Sequence, residues 1–241
     1  MSSVARILVP AAAGLIVLWQ PATGAAQIVV ETGPQAEITP QGLHRVPPAI
    51  MPGTWARPDL DLARYARVFF LPTFVEFREI PQRRYVARAM ANQTAFPVNA
   101  QRRARLRELF GAAFYEAVSN LRSYELTDEL GRDVLMIQGF LTDVASGVPP
   151  DDTTASGVLI RMAWEATLVM ELRDAMSNEL LARTVEILRI NGPMDPTAVY
   201  ALTPRFTQEW SSLLIGKLRA LSDLTGRPDV GVRPGAWRTR P

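Results

Sequence analysis

"ATLVMELRDAMSNELLARTVEIL", Ala166 to Leu188, decides the fold. It reads as strand, polar turn, strand. Extended upstream to Ile160, the first arm alternates. Ile160, Met162, Trp164, Ala166, Leu168, Met170 and Leu172 hold the even positions, and Arg161, Glu165, Thr167, Glu171 and Arg173 stand among the odd ones. Period-two alternation of this length predicts a strand with one buried and one largely wet face. An antiparallel sheet accepts that pattern; a parallel sheet covered on both sides does not. Pairing Leu172 with Leu181 leaves Ala175 to Asn178 as a four-residue loop, a common hairpin length. That register puts Leu181, Val185 and Ile187 on the buried face, and Arg183 with them beside Met170, read as a sheet-margin residue whose head reaches water, with a carboxylate partner as the alternative.

Outward from the hairpin, "DVLMIQGFLTDVAS" (Asp133 to Ser146) is apolar on both faces and predicts a central strand. "ARVFFLPTFVEFRE" predicts the first strand, with Pro72 marking an edge, a bulge or a break because it lacks an amide donor. Between them, Leu106, Leu109, Phe110, Ala113, Phe114, Ala117, Val118 and Leu121 recur at helical spacing. They predict an amphipathic helix from Asn99, its N-cap, to about Arg122. A second helix is expected from about Arg205 to Leu224, striped by Phe206, Trp210, Leu213, Leu214, Leu218 and Leu221. "NGPMDPTAVYALTP" before it reads as a loop with one helical turn. The assembled expectation is an α/β (α+β) two-layer sandwich: a largely antiparallel or mixed sheet with two main amphipathic helices packed on one face.

The ends are different. Met1 to Arg6 carries one positive charge, and Ile7 to Trp19 is an apolar run too short to span a bilayer comfortably. "PATGAAQ" then supplies small residues, so residues 1–26 are expected to be a cleaved signal peptide and the protein to be exported to the periplasm. Residues 27–63 form an irregular proline-rich arm, with Leu43, Ile50, Met51 and Trp55 expected to dock on the body. Residues 64–224 form a single α/β domain, and residues 225–241 form a flexible basic tail.

Composition sets limits on function. Of 241 residues 48% are hydrophobic and 21% charged, which supports a packed core and excludes global disorder. Net charge is +2, too small an excess to argue for nucleic acid. The absence of cysteine removes disulfides, thiolate metal sites, cysteine nucleophiles and lipid attachment at an N-terminal cysteine. The one histidine, His44, lies in the arm and reads as a surface or packing residue. No G-x-S-x-G, G-x-x-x-x-G-K-[ST], G-x-G-x-x-G or H-E-x-x-H occurs, so no catalytic, cofactor or metal residue is assigned and the expectation is a protein that is not an enzyme. Asp151 and Asp152 lack calcium-loop spacing and read as solvated loop charge. Glu165 and Glu171 lie about 20 Å apart along a strand, too far for an acid–base pair. "QRRARLRE" (Gln101 to Glu108) is a basic helix start, read as a solvated face, with peripheral membrane or partner contact as the alternative.

The run of "YARVFFLPTFVEF", "LRELFGAAFYEAV", "VLMIQGFLTDV", "LVMELRDAMSNELLARTVE" and "FTQEWSSLLIGKL" resembles the bacterial domain-of-unknown-function family 3313, secreted envelope proteins often made as lipoproteins. The resemblance covers roughly Leu43 to Leu224. Its best local feature is the hairpin at Asp174 to Ala182, where Asn178 stands near the family's turn glycine, asparagine being tolerant of left-handed backbone. The family carries no established catalytic residues. Unlike its lipoprotein members, this chain has no cysteine to acylate after the signal.

The leading expectation is therefore a non-enzymatic envelope protein that binds a protein partner or itself through the wet strand face around Arg161, Glu165, Glu171 and Arg173. Reversing the charges of Glu165 and Glu171 should then weaken capture without lowering the melting temperature. The alternative is a carrier of a lipid or other apolar small molecule held between sheet and helices.

Overall fold

The computed structural model describes residues 27–80, 95–149 and 160–226. Residues 1–26, expected to be a signal peptide, the Asp151–Asp152 pair and nearly all of residues 225–241 lie outside them. Ten elements follow in chain order: β1 His44–Arg45, β2 Thr54–Ala56, β3 Arg67–Phe70, β4 Phe74–Phe77, α1 Ala100–Ser119, β5 Glu125–Thr127, β6 Val134–Ser146, β7 Ile160–Asp174, β8 Leu180–Met194 and α2 Pro196–Leu224. The strands form one mixed sheet in the order β1-β2-β8-β7-β6-β3-β5, with β4 also paired to β6. Each successive pair along β6-β7-β8-β2-β1 is antiparallel; β3 and β4 lie parallel to β6, and β5 parallel to β3. The two helices pack together on one face, giving the expected α+β sandwich.

Pro72 breaks the predicted first strand into β3 and β4. They occupy successive stretches of the same side of β6, Arg67–Phe70 beside Val134–Ile137 and Phe74 beside Phe140. The Gln138 side chain donates to the Pro72 carbonyl (3.0 Å), satisfying an acceptor that the broken ladder leaves open. α1 begins where Asn99 accepts the Arg102 amide. Its stripe of Leu106, Phe110, Phe114 and Val118 is buried. Phe114 lies on Gly139 of β6, where a Cβ would come within 2.6 Å of the ring, so glycine is what lets the helix approach.

Three sequence expectations are corrected. α2 starts at Pro196, not near Arg205: Asp195 caps it by accepting the Ala198 amide, and Pro196 at the first turn gives up no helical hydrogen bond. Pro204 lies inside this helix. The arm is partly regular, since β2 adds to β8 and β1 to β2, extending the sheet by two short strands; Leu43 and Met51 are buried as expected, but Ile50 is exposed.

The third correction concerns the hairpin. At its tip the register is the expected one, Arg173 opposite Leu180, around a turn whose Asn178 takes φ +57°. A bulge at Leu181 then shifts it, so Leu172 faces Ala182 rather than Leu181. One extra residue on one strand exchanges the faces of everything beyond it. Ala182 and Thr184 turn to the core, while Arg183, Val185 and Ile187 turn outward, Ile187 with 67% of its surface exposed.

Candidate functional site

The exchange of faces builds the outer surface of the sheet. Arg183 now stands directly opposite Glu171. It donates to one carboxylate oxygen through Nε (3.0 Å) and Nη2, while Arg173 donates to the other through Nε (3.1 Å) and Nη2 (2.7 Å). Caught between two guanidinium forks, Glu171 is only 6% exposed although it sits on the uncovered face. The same transverse row continues through Trp55 to Arg45 on one side and to Gln138 on the other. The Trp55 indole donates to Glu37 (3.0 Å), which also accepts from Arg45 (2.6 Å), and the Arg45 guanidinium lies 5.8 Å from the Trp55 ring centre. Trp55 is thus a packing anchor of the arm.

A second charged group lies farther along β7. Arg78, just after β4, bridges Asp143 (2.8 Å through Nε) and Glu165 (2.6 Å), and Arg189 holds the second oxygen of Glu165. Asp143 sits at a bulge in β6 with φ +53°, which aims its carboxylate at Arg78. The Arg78 hydrogen bond, followed by that of Arg189, holds the Glu165 carboxyl below the usual range; Arg78 does the same to Asp143.

Between the two charged groups runs an apolar row on four adjacent strands. Phe74 of β4 faces Phe140 of β6, Phe140 faces Val169 of β7, and Val169 faces Val185 of β8. The Phe74 and Phe140 ring centres are 6.3 Å apart, at a tilt typical of aromatic pairs. Ile187 flanks the row opposite Thr167. Phe74 and Ile187 are exposed, Phe140, Val169 and Val185 half-buried.

Of the four residues expected on this face, the structure joins Glu171 and Arg173 in one ion pair. Glu165 belongs to the separate group around Arg78, and Arg161 is exposed at the start of β7. The carboxylates are bound within the chain, so reversing both charges would set six like or unpaired charges against each other and lower the melting temperature. Reasoning from the sequence missed Arg78, Asp143 and Arg189 as partners and missed the apolar row; for Arg183 the structure bears out the carboxylate partner rather than the favoured free margin. The visible signal was Val169, an apolar residue in the middle of the otherwise polar face.

At the tip of the hairpin, one Asp174 oxygen accepts the Met176 and Ser177 amides (2.9 Å each) and the Ser177 hydroxyl (3.1 Å). The other accepts Arg64 (2.8 Å) and the Tyr65 hydroxyl (2.9 Å). Burial alone would raise this carboxyl, but the hydrogen bonds from Ser177, Tyr65 and Met176 outweigh it and hold it at about 2. Burial and the bond to Asp174 push the Tyr65 hydroxyl well above the usual tyrosine range. This cluster ties the start of the body to the hairpin turn.

Other candidates are occupied structurally. His44 Nδ1 lies 2.9 Å from the Glu31 carbonyl. In the basic start of α1, Arg103 donates to the Val98 carbonyl (2.7 Å), Arg105 pairs with Glu108, and Arg102 lies 3.9 Å over the Tyr200 ring. The space between sheet and helices is filled by Phe110, Phe114, Trp164 and Leu218, each at most 2% exposed. Among the described residues, no three His, Asp or Glu side chains gather as a metal site, and no helix is long and apolar enough to cross a membrane.

An α+β sandwich with an uncovered polar sheet face defines the class. The model of the family "Protein of unknown function (DUF3313)" matches residues 49–187, more than half of the chain, and the protein belongs to that family. No curated protein matches it. Among solved structures it is similar to the PelC dodecamer from Paraburkholderia phytofirmans (8% identity, 64% of this chain and 91% of that one, TM-score 0.32). It is also similar to protein XCC0632 of Xanthomonas campestris, of family DUF330 (12%, 64% and 83%, TM-score 0.35). A hypothetical protein from Chlamydia trachomatis is a third (11%, 67% and 97%, TM-score 0.28). Likenesses this distant assign no function.

Proposed function

We propose that this protein is a non-enzymatic binding module of the bacterial envelope, acting after export, that docks a protein partner on the outer face of its sheet. The observation that carries the reading is the apolar row Phe74–Phe140–Val169–Val185, left open to solvent between two charged groups. Interfaces of this kind place apolar side chains at the centre and polar ones at the rim. Here Glu171 and Arg173 border the row on one side and Glu165 on the other, with Arg161 beyond. Their pairing within the chain suits a rim, because a rim charge already satisfied loses little on docking. The short apolar run Ile7–Trp19 with the small residues after it supports export.

The test is photo-crosslinking in the cell from a benzoylphenylalanine placed at Phe74, with Leu213, an exposed residue of α2, as the control position. A discrete protein adduct from position 74 that is absent from position 213, and lost when Ile187→Asp is added, is the expected result. Its mass shows whether the partner is a second copy or another protein. Equal labelling from both positions, or none from position 74, refutes the reading.

A further inference from the structure

β8 is fifteen residues long, yet β2 covers only Ala182 to Thr184 of its outer edge. The register between β7 and β8 is unbroken from Leu172↔Ala182 to Trp164↔Ile190, so the backbone alternates strictly along this stretch. The Val185 amide donates to the Gly53 carbonyl, and the Leu181 carbonyl accepts from the Arg57 amide. Odd-numbered residues of β8 therefore turn their N–H and C=O groups away from β7. By the same alternation Ile187 and Arg189 do so too, and no described strand lies beside them.

β2 cannot extend over them. Pro52 has no amide to offer, and Gly53 turns at φ +63° where a Cβ would lie 2.1 Å from the Val185 carbonyl oxygen. The gap begins where the arm leaves the sheet. Native sheets seldom leave a long edge without a bulge, a covering element or a short span.

We infer that this edge takes a short extended segment of the partner protein, which pairs with Ile187 and Arg189 in line with β2. The inference rests on the protein-binding reading above and names its mode: strand addition beside the apolar row. Side chains define the segment's chemistry. Opposite Ile187 an apolar residue would extend the neighbouring row Thr167–Ile187, beside the apolar row. Arg189 holds Glu165 through Nε alone, and its two terminal nitrogens have no partner among the described residues, so an acidic residue suits the position opposite it. The residue between the two faces Leu188, which is half-buried, and a β-branched residue such as valine or threonine suits it. A second copy's β8 is a poor occupant. Antiparallel pairing of Ile187 with Arg189 of the copy would carry that strand on so that its Asn191 fell in the place of Gly53 and its Pro193 and Met194 in the places of Trp55 and Ala56. A segment of about five residues avoids the collision.

The probe is a set of acetylated, amidated hexapeptides of alternating valine and threonine with one glutamate moved through each position, added to the full mature chain. Backbone amide exchange is read by NMR. One member or more is expected to slow exchange at Ile187 and Arg189 at least ten-fold, and its analogue N-methylated at alternate residues to do nothing. Arg189→Pro, which removes an outward amide at an edge where proline is tolerated together with the guanidinium that Arg189→Ala also removes, should lower affinity at least ten-fold. Arg189→Ala, which keeps the amide, should change it less than three-fold. If no member of the set protects the two amides, or the two variants lose binding equally, strand addition is refuted. Loss of the position-74 crosslink without any change in peptide binding would refute the face and leave the edge.

Discussion

On one side of β7, Trp164, Ala166, Leu168 and Met170 are sealed under two helices; on the other, Glu165 and Glu171 stand on the outer face, each gripped by two arginines. The inner face is held by area removed from water, at roughly 25 cal/mol per Å² of apolar surface. The outer face satisfies its charges pairwise and gains far less, since exposed ion pairs are worth about 0–1 kcal/mol each. The difference separates what holds the fold from what is free to bind. Residues of the inner face should be felt in unfolding and hardly at all in binding, and the apolar row of the outer face the reverse.

The largest effect is expected where the inner face is densest. Phe114 is fully buried, stacks on Phe110 with ring centres 6.0 Å apart, and rests on Gly139. Phe114→Ala should cost about 3–5 kcal/mol in urea unfolding. Gly139→Ala, which drives a methyl into the same ring, should cost about 1–3 kcal/mol. A loss under 1 kcal/mol for Phe114→Ala would mean that the helices are not what the sheet is anchored to.

Asp174 closes the inner face at the end of β7, and its effect depends on pH. Its folded value of about 2 lies below the ordinary 3.8, so its contribution is full above the unfolded value and is lost as pH falls toward 2. A shift of this size corresponds to about 2 kcal/mol. Asp174→Asn should lower stability by that order at pH 7 and flatten the stability curve between about pH 4 and 2. A variant that keeps the wild-type slope there would place the titration elsewhere.

The outer face should respond less. Glu171→Gln leaves Arg173 and Arg183 without a full counter-charge, but both are about 30% exposed and can turn to water. The expected loss is about 1–2 kcal/mol. For Glu165→Gln it is under about 1 kcal/mol, because Arg189 is 63% exposed, and it should shrink further in 1 M salt. Equal losses for the two would erase the distinction between a sheltered and an open pair.

The sequence showed the strands and helices that carry long patterns. Runs of thirteen to fifteen residues, apolar on both faces in β6 and alternating in β7, leave little freedom in assignment. It hid what depends on single residues. β1 and β2 are two and three residues long, and β2 finds its partner β8 more than a hundred positions away, so no local pattern announces them. Pro204 disguised the start of α2, although Asp195–Pro196 carried the signature of a cap followed by a first-turn proline. The bulge at Leu181 had the widest consequence. "LLAR" reads equally well with Leu181 or Ala182 opposite Leu172, and the choice moves Arg183, Val185 and Ile187 from core to surface. The candidate site was half legible for this reason: Glu165, Glu171 and Arg173 belong to β7, whose alternation was plain, whereas their arginine partners and the apolar row depend on a register fixed only in three dimensions.

Ile187 is where that register can be tested with the smallest disturbance. If it faced the core, as the unshifted pairing requires, Ile187→Thr would bury a hydroxyl and remove a methyl group, at a cost of at least about 1–2 kcal/mol. On the outer face neither penalty applies. Threonine is β-branched and suits a strand as isoleucine does, and surface changes away from special features fall within about 0.5 kcal/mol. The structure therefore expects a melting temperature unchanged within about 2 °C. The crosslink from position 74 should fall, because the substitution removes apolar surface from the flank of the row that the partner is to cover. A melting temperature lowered by 5 °C or more would return Ile187 to the core and with it remove the outward turn of Arg183 and Val185. An unchanged melting temperature with an unchanged crosslink would keep the fold and confine docking to the Phe74 end of the row.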